Sequence, residues 1–94
     1  VKRLNRNVYV TIDADVFDPG VLPWVGTPEP GGPGWWDIES LLNDVARNRT
    51  VVGFDVVEFA PYGPGAAASA YTLSKLIYRF IGYIGTADIG GNSA

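Results

Sequence analysis

The chain has 94 residues, ten acidic against seven basic side chains, a net charge of −3, and 47% hydrophobic residues. That apolar content is too high for a disordered chain, and the length allows one small domain or part of a larger one. The absence of Cys and His excludes disulfides, thiolate metal sites and a Ser-His-Asp triad within this segment.

Lys2, Arg3 and Arg6 cluster early, but three charges make no nucleic-acid footprint, and a solvated leader is expected. No apolar run approaches the roughly 18 to 20 residues that span a bilayer. No signal-peptide pattern is visible either, so a cytoplasmic location and no membrane partner are expected. The sequence begins at Val1 and contains no Met, which is the pattern of a piece or a processed product.

In chain order, residues 8–17 read as a strand of β-branched and aromatic residues that ends at an Asp-Pro-Gly turn signal. Residues 18–34 hold five prolines and five glycines, so they read as a shaped loop. A helix is predicted over residues 35–47. Trp36, Ile38, Leu41, Leu42 and Val45 recur at helical spacing, and Asp37 and Glu39 sit near its positive end.

TVVGFDVVEF, residues 50–59, is a second strand, apolar on both faces except at Asp55 and Glu58. Such strands are typical of parallel sheets covered by helices. A second loop, residues 60–68, leads to a helix predicted over residues 69–83, with Leu73, Leu76, Ile77, Phe80 and Ile84 on one face. Residues 85–94 are expected to be a frayed tail. The order β-α-β-α implies an α/β layer architecture with a parallel sheet. Two strands leave open edges, so residues 1–94 are read as a single partial domain.

TIDADVFDP, residues 11–19, carries the chemistry. Residues i and i+2 of a strand share a face, about 6.5–7 Å apart, so Asp13 and Asp15 form a pair at a strand end. Open α/β sheets place ligands there. Two like charges so close favour a hard divalent cation between them. Asp18, past the strand, can ligate, cap the turn or face water, and the structural role is preferred.

A helix-loop-helix calcium site fails, because the sixth and twelfth positions from Asp13 are Asp18 and Trp24 rather than Gly and Glu. The DxD also resembles the haloacid-dehalogenase phosphatases, but the continuation Val16-Phe17-Asp18-Pro19 departs from theirs. On spacing alone a solvated strand end, a metal site and a phosphatase all stay open. Gly31, Gly32 and Gly34 make no phosphate loop, since no Lys-Ser/Thr follows. Trp24, Trp35 and Trp36 fit packing of the loop on the helix start better than a pocket wall.

TIDADVFDP, then GTPEPGG at residues 26–32, then VVGFDVVEFAP at residues 51–61, together resemble the arginase/agmatinase (ureohydrolase) family, most like agmatinases. The resemblance implies the C-terminal β-α-β-α portion of a three-layer, mostly parallel arginase-like fold. It implies two manganese ions in the complete site, with Asp13 and Asp15 as metal ligands. Glu58 is then placed to receive the guanidinium of a small guanidino substrate, and Thr27 to shape the pocket wall.

The implied reaction is hydrolysis of a guanidino C–N bond, agmatine-like, to urea and an amine. Trimers or hexamers are implied when the protein is complete. The family's histidines and further aspartates lie upstream of the DxD strand and have no counterpart here, so the 94 residues alone are expected to be inert. Asp55 matches a family aspartate and reads better as a structural partner than as a ligand. The loop YGPGAAASAYT, residues 62–72, lacks an acidic, threonine-rich pattern, which leaves substrate choice open. The alternative is a non-catalytic remnant of this fold that serves packing or oligomer contacts.

Overall fold

In the computed structural model, residues 1–23, 30–61, 63 and 66–89 are described, without the side chains of residues 88 and 89. The described elements are strand β1 (Asn7–Asp13), a 3-10 turn (Ala14–Val16), helix α1 (Trp35–Asn48), strand β2 (Thr50–Val57) and helix α2 (Ala66–Ile89). The α/β order read from the sequence is therefore the order observed.

β1 and β2 pair in parallel from Asn7 opposite Thr50 to Asp13 opposite Val57. β2 takes in one extra residue, Val52, because Val8 faces Val51 and Tyr9 faces Gly53. Strand alternation then divides the sheet cleanly. Val10, Ile12, Phe54 and Val56 belong to the core, with Ile38, Leu42, Ala46, Leu73, Leu76 and Phe80 from the helices. Tyr9, Thr11 and Asp13 lie on the opposite, exposed side.

α1 opens at Gly34, whose N–H donates to Asp37 Oδ2 (3.0 Å), a carboxylate reaching back to cover an otherwise orphan donor. It stops at Arg49, which has left helical backbone and donates its N–H to Val45 O (2.9 Å). The Arg49 guanidinium also binds Leu4 O (3.2 Å) and Val1 O (2.9 Å), tying the N-terminal segment to the end of α1. Between the helices, Arg79 pairs with the buried Glu39 at 3.5 Å and lies 5.6 Å from the Trp36 ring centre. Phe54 and Phe80 meet edge to face, with centroids 4.9 Å apart, and join the sheet to α2.

Two sequence expectations require correction. The first strand does not run to Phe17. It stops at Asp13, whose carboxylate caps the 3-10 turn, and that turn buries Ala14 and delivers Phe17 to the core. α2 is longer than predicted at both ends. Ala66, Ala67 and Ala68 are strong helix formers at its start. Residues 85–89, expected as the beginning of a frayed tail, are its last turn, where Ile84 packs on the core and Ala87 is buried. Residues 90–94 lie outside the described residues. No helix among the described residues is long and apolar enough to cross a membrane.

Candidate active site

The carboxyl ends of the two parallel strands bring Asp13 and Glu58 to the same edge of the sheet. Asp13 ends β1 opposite Val57, and Glu58 is the next residue of the neighbouring strand's chain. Both are exposed. Asp13 Oδ1 accepts the Asp15 N–H at 2.9 Å, and Oδ2 has no hydrogen bond among the described residues. Asp15 lies in the 3-10 turn rather than on the strand. The two residues are therefore joined by a backbone cap and not by the alternation of a pleated strand.

Glu58 is the one described non-glycine residue with positive φ, 66°. A left-handed backbone costs an L residue with a long side chain roughly 1–2 kcal/mol. The position has room for a glycine or asparagine, yet it carries a carboxylate at a strand end. Such outliers cluster where function needs a particular direction.

Asp18 takes the structural role preferred from the sequence. It accepts from Gly20 N–H through Oδ2 and from Gly31 N–H through Oδ1, both at 2.9 Å. Its own N–H donates to Pro33 O at 3.1 Å. The backbone donors of Gly20 and then Gly31 hold its carboxyl below the usual carboxylate range. Asp18 thus pins the Pro-Gly-Gly segment against the end of β1.

The glycines answer to that contact. Gly31 has φ 85°, and a Cβ on Gly32 would lie 2.6 Å from Val16 O. A side chain at residue 32 would push the loop off the strand end. Thr27 falls in the segment 24–29, outside the described residues, as does Trp24. Trp35 packs against the core, as expected for a helix start. Trp36 is exposed and holds Arg79 instead.

Asp55 is bound to a residue that the sequence did not single out. The Tyr9 hydroxyl donates to Asp55 Oδ2 at 3.1 Å. Gly53 lies beneath the tyrosine ring, where a Cβ would come within 3.0 Å of it. The hydrogen bond to Asp55 raises the Tyr9 phenol above its ordinary pKa. Asp55 Oδ1 is buried and has no hydrogen-bond partner among the described residues. A signal was present, since Tyr9 and Gly53 fall on matching strands, but pairing them required the register shift at Val52.

Comparison with known proteins identifies the family of the chain. The Arginase family profile matches residues 1–82. The chain is 42% identical over 83 residues to the N(1)-aminopropylagmatine ureohydrolase of a Synechocystis species, a match that covers 88% of this chain and 27% of that protein. It is 42% identical over 82 residues to the agmatinase of Pyrococcus horikoshii, covering 87% and 29%. The crystal structure of the agmatine ureohydrolase of Thermoplasma volcanium superposes with a TM-score of 0.75 at 39% identity, covering 89% and 28%. The chain thus spans less than a third of the length of these relatives, and its fold is a fragment of theirs. The chain belongs to the arginase family.

Proposed function

We propose that these residues are the carboxyl-terminal part of a manganese-dependent ureohydrolase that cleaves an agmatine-like guanidino substrate into urea and an amine. The observation that carries this reading is the convergence of Asp13 and Glu58 on one sheet edge, with Glu58 held in a left-handed backbone. Relatives named agmatinase and N(1)-aminopropylagmatine ureohydrolase support the substrate class.

The donor set fits a hard cation. The chain offers carboxylate oxygens at the site, and such ligands suit manganese or magnesium. Among the described residues no three His, Cys, Asp or Glu side chains are grouped to hold a metal. In this reading Asp13 and Asp15 would supply part of a cage that the described residues do not complete. The chemistry that a bound manganese pair supplies is activation of water at neutral pH.

Glu58 recognises the substrate. A guanidinium is planar and presents paired N–H donors, and a carboxylate accepts them two at a time. Glu58 follows the strand position opposite Asp13, so a guanidinium bound by its carboxylate would sit at the sheet edge that carries Asp13. Orientation of this kind lowers the barrier by removing the need to search.

In the complete gene product, Glu58→Gln keeps the size and backbone of the residue and removes its charge. It is expected to lower kcat/KM for agmatine by roughly 30-fold or more, since truncating a desolvated charged partner costs about 2 kcal/mol at the least. Steady-state kinetics of urea release measure this. A kcat/KM within about threefold of wild type would remove Glu58 from substrate binding.

A further inference from the structure

The sheet face opposite the core carries a second arrangement, separate from the strand-end acids. Tyr9, Thr11 and Asp13 alternate along β1 on this face. Thr11 is opposite Asp55, and Asp13 is two pairs further along, opposite Val57. The Tyr9 ring crosses over Gly53 and its hydroxyl reaches Asp55 Oδ2 at 3.1 Å. One oxygen of Asp55 is thereby fixed, and the other, Oδ1, is buried with no donor.

A buried carboxylate oxygen left without a donor is costly, so native proteins supply one. None of the described residues does so. The required group carries an N–H or O–H and comes to rest on this face, at the Asp55 end of the Tyr9 contact. Among metal-ligating side chains, carboxylates have no proton to give, whereas a neutral imidazole binds metal through one nitrogen and donates from the other. Metal-bound imidazoles are routinely held by a carboxylate in this manner. The chain has no His, so such a ligand arrives from elsewhere in the complete protein.

We infer that Tyr9 is a positioning residue for the metal site. It locks the Asp55 carboxylate so that Oδ1 accepts the N–H of a metal-ligating imidazole on the face shared with Asp13. The inference rests on the ureohydrolase reading above and adds Tyr9 and Asp55 to it. Gly53 belongs to the device because it leaves room for the ring, and the exposure of Tyr9 leaves the pair open to be covered by the rest of the protein.

The test uses the complete gene product, with manganese affinity measured by equilibrium dialysis in metal buffers and folding by thermal melting. Tyr9→Phe is expected to weaken manganese binding about tenfold, and Asp55→Asn about 10- to 100-fold, the range seen when outer-shell partners are removed. The double variant is expected to bind no more weakly than Asp55→Asn, because both changes break one device. Tyr9→Phe should melt with wild type, since the ring stays.

Manganese affinity unchanged in Tyr9→Phe overturns the inference. So does a double variant in which the two losses simply add, or a loss of affinity that only follows a loss of melting temperature. Asp13→Asn, run alongside, separates the two levels. If it abolishes manganese binding while Tyr9→Phe does not, only the role of Tyr9 fails. If Asp13→Asn leaves binding intact, Asp13 is not in the site, and the metal-site reading on which the inference rests fails.

Discussion

Asp13→Asn in the complete gene product is expected to abolish stoichiometric manganese binding and, with it, urea release. The side chain keeps its shape and can still accept the Asp15 N–H through the amide oxygen, so the 3-10 turn survives. What is lost is the negative charge of the carboxylate. Carboxylates bind hard cations through that charge, and a neutral amide is a much poorer ligand. The loss of affinity should exceed the roughly 10- to 100-fold that follows removal of an outer-shell partner. Metal analysis after dialysis, paired with a thermal melt, measures both halves. A variant that retains two manganese ions per chain would remove Asp13 from the site.

Phe80→Ala is expected to produce the largest loss of stability of any single change in this segment. Phe80 is fully buried and meets Phe54 edge to face at 4.9 Å, linking α2 to β2 beneath the strand ends. Truncating a buried Phe costs about 3–5 kcal/mol, because the surroundings close only part of the cavity. In a domain of some 150–250 residues or more, that lowers Tm by roughly 10 °C. Phe80→Leu keeps most of the volume and should lose much less. Circular dichroism melts of the two variants decide the matter. Equal, small losses in both would mean that the Phe54–Phe80 contact does not hold the helix to the sheet.

The element order was legible because apolar periodicity switches cleanly between two and 3.6 residues, and the prolines and glycines of residues 18–34 punctuate it. The boundaries were less so. VYVTIDADVF reads as one strand because β-branched and aromatic residues continue past Asp13. The chain bends there because Asp13 caps a turn and Phe17 finds its place in the core, and both are tertiary facts. At the other end, residues 85–89 read as the start of a tail because chain termini commonly fray, and Gly82 and Gly85 are weak helix formers there. The burial of Ala87 outweighs their low helix propensity.

The candidate site was partly legible for the same reason. Its three motifs are local strings, and their order survives in one dimension. The service of Asp18 to Gly20 and Gly31 was half visible, since an Asp before Pro-Gly favours a turn, but its reach to residue 31 depends on how the loop returns. Two features lay beyond any local pattern. The left-handed backbone of Glu58 has no signature in a residue that rarely adopts it. The Tyr9–Asp55 bond joins positions 46 residues apart and depends on the single extra residue in β2. The inter-helix pair of Glu39 and Arg79 was hidden in the same way.

The central claim, that this segment completes a metal-dependent ureohydrolase, is tested most directly by urea formation. The complete gene product, stripped of metal and then resupplied with manganese, would be incubated with agmatine while urea and amine are quantified together. The account predicts no urea from the stripped protein, and restoration by manganese with one amine released per urea. A folded, manganese-loaded protein that releases no urea from agmatine, N(1)-aminopropylagmatine or arginine would contradict it.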